Sequence, residues 1–136
     1  MLEVKIFTLY PDLFPGPLDV GIFKKARENK IWNLKVINIR EYSKDNHGTV
    51  DDTPFGGGSG MLLRPDILAS ALDKNIKKGE KIIYLSPRGK KFDQNVARSL
   101  SKEKNLNLIC GHFEGVDQRV LVTINIVEYS VGVFIL

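Results

Sequence analysis

The sequence predicts an α/β fold, a mostly parallel sheet flanked by helices, built as one domain. Three observations carry this expectation. Short apolar runs alternate along the chain with stretches of helical period, the pattern that places parallel strands under crossover helices. The length, 136 residues, fits one compact core. The composition, 43% hydrophobic and 26% charged, is that of an ordinary globule and excludes disordered, collagenous and fibrous classes.

The first element is the apolar run Leu2 to Leu9, closed by Tyr10-Pro11, which reads as a buried opening strand. After a loop with Pro11, Pro15, Gly16 and Pro17, the spacing of Leu18, Ile22, Phe23 and Ala26 predicts a helix over 18–29 that buries one face. Trp32 to Ile39 alternates as a second strand, making a βαβ unit with parallel strands and a right-handed crossover. Trp32 itself reads as core. Residues 41–63 have no period and hold five glycines and one proline, which predicts a long loop, functional or disordered. Pro65 suits a first helical turn, and Leu68, Leu72 and Ile76 give that helix a stripe ending at Gly79.

A third strand is expected over Ile82 to Leu85, ended by Ser86-Pro87-Arg88-Gly89. Phe92, Val96 and Leu100 then mark a helix whose basic face is Lys90, Lys91, Arg98, Lys102 and Lys104. A fourth strand over Leu106 to Cys110, a turn over Gly111 to Gly115, a short helix over Val116 to Leu121 and a fifth strand over Thr123 to Tyr129 complete the order.

The net charge is +4, and all of the excess lies in the second half. Residues 74–104 carry ten Lys/Arg against three Asp/Glu, a density that attracts a polyanion such as RNA or simply forms a solvated helical surface. No apolar run approaches the roughly 18 residues of a spanning helix, and Glu3 and Lys5 interrupt the place of a signal peptide, so the expected location is cytoplasmic with no membrane. Cys110 is the single cysteine, and with only His47 and His112 there is no zinc-ligand spacing, so no metal is expected. The two histidines read as polar loop residues.

In such folds ligands bind beyond the carboxyl ends of the strands. That rule selects Leu85-Ser86-Pro87, Gly111 to Gly115 and the tail from Val131 to Leu136. Two phosphate-binding signatures fail: the glycines at 56, 57, 58 and 60 follow a loop and have Met61 at the last position of a G-x-G-x-x-G, and no Gly-Lys-Ser/Thr occurs.

Three segments carry a closer likeness: Thr49 to Met61 (TVDDTPFGGGSGM), Tyr84 to Gly89 (YLSPRG) and Cys110 to Arg119 (CGHFEGVDQR). Together, and in this order, they closely resemble the bacterial tRNA (guanine-N1)-methyltransferases, members of the SPOUT methyltransferases. The resemblance runs along the whole chain. It implies a trefoil-knotted α/β domain that binds S-adenosyl-L-methionine and works as a homodimer. It also implies methyl transfer to N1 of the guanosine 3′ of the tRNA anticodon, position 37. By motif, the cofactor pocket would take Tyr84, Leu85, Ser86 and Pro87 from one loop, Gly111, Phe113 and Glu114 from a second, and Val131, Gly132, Val133, Phe134, Ile135 and Leu136 from a third. Glu114 is the catalytic candidate, helping to hold the target guanine, and Arg88, Lys90 and Lys91 are RNA-contact candidates. Asp51 and Asp52 are expected to cap a helix or pair with a cation rather than act in catalysis.

The chain departs from the family pattern in places. Phe55 and Phe113 stand where many members have tyrosine, and Val133 stands where the third loop usually has aspartate. The family pattern continues with Thr-Gly-Gly-Glu, a linker bearing the proposed general base, and a helical tRNA-gripping domain. The expectation for residues 1–136 is therefore a truncated cofactor-binding domain with knot closure open, active as an enzyme or surviving as an inactive binding and dimerising module.

Overall fold

The computed structural model of the protein describes residues 1–43, 51–52, 62–63, 65–110, 115–116 and 126–132. Five strands form one sheet, all parallel, in the order β2-β1-β6-β5-β8. They are β1 (Leu2–Thr8), β2 (Trp32–Asn38), β5 (Lys81–Lys91), β6 (Asn105–Ile109) and β8 (Val127–Ser130). A second, small sheet joins the two-residue strands β3 (Asp51–Asp52), β4 (Leu62–Leu63) and β7 (Gly115–Val116). The helices are α1 (Gly21–Glu28), α2 (Pro65–Asn75) and α3 (Gln94–Ser101).

Strands buried on both faces must be rich in apolar and β-branched residues, as β1, β5 and β6 are. On one face Phe7, Leu9, Ile37, Ile39, Tyr84 and Ile109 pack under Ile67, Leu68, Ala71 and Leu72 of α2. On the other, Ile83 and Leu106 pack under Leu100 of α3, with Phe92, Val96 and Tyr129 alongside. The predicted α/β class and the parallel βαβ pairing of β1 with β2 are thus found. Gly79 ends the turn after α2 at φ +92, a left-handed conformation natural to glycine. Asp93 caps α3 by accepting from the amide of Val96 at 2.9 Å.

The α2 face also holds polar groups. Lys5 Nζ donates to the Asn75 carbonyl at 2.7 Å and lies 3.7 Å from Glu80 Oε1. The fully buried Asn107 donates through Nδ2 to Glu80 Oε1 at 3.2 Å and to the Lys81 carbonyl at 3.0 Å. A lysine in the middle of β1 is tolerable because its charge lies near a carboxylate and its ammonium has a carbonyl acceptor.

Several expectations change. The stripe of the first helix does not lie on the sheet: a 3-10 turn, Gly16–Asp19, precedes α1, and Leu18, Ile22 and Phe23 are 37%, 76% and 52% exposed. α1 is held instead near its end, where Ala26 and Arg27 are half-buried and Arg27 pairs with Asp19 and stacks 5.8 Å from the centre of the Trp32 ring. The Trp32 indole donates to the Phe23 carbonyl at 3.0 Å, so Trp32 is a half-buried edge residue and not core. Of residues 41–63, the described ones hold the end of the 3-10 turn Ile39–Tyr42 and the strands β3 and β4, where the sequence predicts a loop, with Asp51 and Asp52 antiparallel to Leu63 and Leu62; residues 44–50 and 53–61 lie outside the described residues. Val116 is in strand β7, against Leu63, and not in a helix. The rest of that expected helix, 117–121, lies outside the described residues.

A further change concerns β5. It does not stop at Leu85 but runs on to Lys91, so Lys90 and Lys91 belong to the strand and not to α3. The ladder with β8 skips: Leu85 and Lys90 both sit opposite Tyr129, and Ser86 to Gly89 leave the ladder between them. The last strand is β8, Val127–Ser130, later than the expected 123–129, of which 123–125 lie outside the described residues. Among the described residues, no helix is long and apolar enough to cross a membrane.

Candidate active site at the carboxyl edge of the sheet

The parallel sheet presents all five carboxyl ends on one edge. β5 pairs with β6 only as far as Tyr84 opposite Ile109, so residues from Leu85 onward overhang β6. There Tyr84 is buried in the α2 core at 7% exposed, whereas the next side chain, Leu85, points out at 48%. Ser86 and Pro87 are half-buried in the excursion that follows. This wall is rigid for identifiable reasons. The Ser86 hydroxyl donates to a carboxylate oxygen of Glu128 on β8 and accepts from the Arg88 amide at 3.2 Å. A Cβ on Gly89 would lie 2.6 Å from the Glu128 carbonyl carbon and from the backbone nitrogen of Tyr129, so only glycine lets the excursion settle on β8.

β8 delivers the third predicted segment beside the first. Ser130 accepts the Phe92 amide on its carbonyl at 2.8 Å, fastening the chain after β5 to the end of β8. Its hydroxyl donates to the Gly132 carbonyl at 2.8 Å and lies 3.2 Å from the Gly132 amide nitrogen, holding the start of the following segment in a tight turn. Val131 is 56% exposed and Gly132 partly buried at that point. The Phe92 and Tyr129 rings meet edge to face at 6.0 Å, bracing the same junction.

Of the predicted pocket residues, the structure thus brings Tyr84, Leu85, Ser86, Pro87, Val131 and Gly132 to one edge across the β5 and β8 pair. Gly111, Phe113 and Glu114, and Val133, Phe134, Ile135 and Leu136, lie outside the described residues, as do His47, His112, Phe55 and the glycine-rich segment. Knot closure, which depends on residues 133–136, lies outside them too. Cys110 closes β6 next to Ile109, its amide donating to the Phe7 carbonyl at 2.9 Å. Burial pushes its thiol pKa up, which keeps it protonated and unsuited to nucleophilic work. Among the described residues, no group of three or more His, Cys, Asp or Glu is placed to hold a metal. Arg88, Lys90 and Lys91 are exposed on the overhang of β5, and Arg98, Lys102 and Lys104 are exposed on and just after α3.

Sequence reasoning missed Glu128 and Gly89. Glu128 looks like any charged residue of an alternating strand, and Gly89 looks like the end of a turn. The signal was the serine: a hydroxyl in an otherwise apolar wall requires a partner.

The fit to a nucleoside-like ligand rests on this edge. Leu85 and Val131 offer exposed apolar surface there, suited to the face of a flat base.

Comparison with known proteins agrees with the likeness in the motifs. The family model described as tRNA (Guanine-1)-methyltransferase TrmD matches residues 2–136. A tRNA (guanine-N(1)-)-methyltransferase of Pelagibacter ubique (strain HTCC1062) is 66% identical over 136 residues, covering 100% of this chain and 60% of the relative. Proteins of the same name from Wolbachia pipientis subsp. Culex pipiens (strain wPip) and Rhodospirillum rubrum are 46% and 43% identical, over 98% and 99% of this chain and 59% and 56% of theirs. The chain therefore spans about 60% of the length of the relatives it matches. With the family model matched along residues 2–136, this chain belongs to the tRNA (guanine-1)-methyltransferase family.

Proposed function

We propose that this protein binds S-adenosyl-L-methionine at the carboxyl edge of β5 and β8 and serves methyl transfer to N1 of guanosine 37 of tRNA. The observation that carries the proposal is the meeting of the Tyr84 to Pro87 and Val131 to Gly132 segments at one edge, in a chain matched by the family model over residues 2–136. Leu85, Pro87 and Val131 cover the faces of the adenine, and backbone groups of the excursion read its edge. Gly111, Phe113, Glu114 and the segment from Val133 to Leu136 complete the pocket. The cofactor supplies an electrophilic methyl group on a sulfonium, and the chain's part is alignment of donor and acceptor, which supplies much of the rate. Guanine N1 carries a proton that must leave as the nucleophile develops, so a base is required, and Glu114 holds the guanine for that step. Arg88, Lys90 and Lys91, exposed beside the pocket, face the phosphates of the tRNA. The compartment is the cytoplasm, where tRNA is modified.

Titration calorimetry with S-adenosylhomocysteine, followed by labelled methyl transfer, tests this. The expected result is saturable heat with one site per chain and label on tRNA with guanosine at position 37, none on the same tRNA with adenosine there. Folded protein that gives no heat refutes the cofactor site. Heat without transfer favours the second reading, a cofactor-binding and dimerising module without turnover, for which the observation is valine at 133 where the family has aspartate.

The protein acts as a homodimer. Support comes from Leu13, Val20, Ile22 and Phe23, apolar residues on and before α1 that are 58%, 63%, 76% and 52% exposed. Sedimentation equilibrium is expected to show a dimer at micromolar concentration, and Ile22→Ser combined with Phe23→Ser to weaken it at least tenfold. A monomer at that concentration, or a double variant that dimerises as the parent does, counts against this surface.

A further inference from the structure

From the contact between Ser86 and Glu128 we infer that Glu128 is a positioning residue for the cofactor site, acting through Ser86 to set the wall formed by residues 85–89. The inference rests on the cofactor site proposed above and adds to it a residue outside every segment that the motifs place in the pocket.

Three features support it. First, the register is interrupted at the excursion: Leu85 and Lys90 share Tyr129 as register partner, and the four residues between them have none on β8. Something else must fix their conformation, since an unpaired segment loses its ordering contacts to solvent. Second, the Ser86 hydroxyl is used in both directions. It donates to Glu128 and accepts from the Arg88 amide, so one oxygen ties the excursion to β8 and closes it upon itself. Third, the tie can only form because the excursion lies flat on β8. Gly89 sits where a Cβ would meet the Glu128 and Tyr129 backbone at 2.6 Å, bringing the two segments into contact at the very residue that supplies the carboxylate.

Glu128 is half-buried, on the strand that continues into Val131 and Gly132. A bond from its carboxylate to a hydroxyl is charge-assisted and stronger than a neutral one. Its consequence is coupling: a ligand that presses Leu85 outward must stretch the tie, and one that seats against Leu85 and Val131 finds both walls already in register. Pre-organisation of this kind appears as affinity, because the ordering cost is met before the ligand arrives.

The test has a ligand-dependent arm and a ligand-independent arm, each made on the 136-residue protein. In the first, S-adenosylhomocysteine is titrated into parent, Ser86→Ala, Glu128→Ala, the double variant, Glu128→Gln and Glu128→Asp. Each alanine variant is expected to bind about tenfold more weakly, and the double variant no more weakly than the singles, because both remove the same bond. Glu128→Gln, whose amide oxygen reaches the same hydroxyl, is expected within about threefold of parent, and Glu128→Asp, one methylene shorter, to resemble alanine. A role of the charge alone predicts the reverse order for the last two, and a packing role unconnected with Ser86 predicts effects that multiply in the double variant. In the second arm, trypsin cleavage after Arg88, with no ligand present, is expected about ten times faster in Glu128→Ala and unchanged in Glu128→Gln. Alanine variants that bind and cleave as the parent does, or effects that multiply in the double variant, overturn the inference. Should either alanine variant fail to fold, the order of glutamine and aspartate decides. A parent chain that gives no heat refutes the cofactor site alone, and the cleavage arm still determines whether Glu128 sets the wall.

Discussion

Gly89→Ala is expected to lower stability by about 3 kcal/mol and to abolish detectable S-adenosylhomocysteine binding. The added Cβ would lie 2.6 Å from three backbone atoms of Glu128 and Tyr129, and backbone cannot rotate away as a side chain can. Either β8 is displaced from β5, which separates the two walls of the site, or residues 86–89 lift away and break the tie to Glu128. In a chain of 136 residues such a loss corresponds to a fall of roughly 10 °C in thermal midpoint. Gly79→Ala provides the contrast. Its φ of +92 penalises any side chain, yet nothing lies within 4 Å of the new methyl, so the cost is about 1 kcal/mol and cofactor binding is untouched. Equal midpoints for the two variants would mean that close approach at Gly89 does not hold the edge together.

Leu68→Ala should cost about 3 kcal/mol in urea unfolding, the second of the large effects. Leu68 is fully buried between Ile67, Ala71 and Leu72 of α2 and the sheet residues Phe7, Ile37 and Ile109, so truncation leaves a cavity with no route for solvent or neighbours to fill it. The loss extends beyond packing, because α2 also presents the Asn75 carbonyl to Lys5, and a helix that shifts would leave that ammonium half-buried with one partner fewer. A loss below about 1 kcal/mol would show that α2 is not firmly docked.

The parallel core was legible because its strands are continuous apolar runs between turn signals, and because Leu68 and Leu72 repeat at helical spacing. The carboxyl edge followed from topology alone, and the motif residues 84–87 and 131–132 do meet there. Three things were hidden. Strands of two residues, such as Asp51–Asp52, have no period to detect, so the small sheet could not be read. Pro87 and Gly89 are the ordinary marks of a turn, and they concealed a strand that leaves its ladder and resumes it at Lys90. The spacing of Ile22 and Phe23 correctly marked an amphipathic helix, but a period reveals only that a face is apolar, never what covers it.

The strand order carries a consequence for synthesis. β1 lies inside the sheet between β2 and β6, and its register with β6 pairs Glu3 with Asn105. As the chain leaves the ribosome amino end first, β1 can find β2 early, but its other edge has no partner until more than a hundred residues have been made. Closing so long a loop is entropically costly and slow relative to local structure. The nascent protein therefore exposes one strand edge of its core until β6 has been made. A chaperone that protects unpaired edges is expected to raise its soluble yield more than it would for a helical protein of the same size.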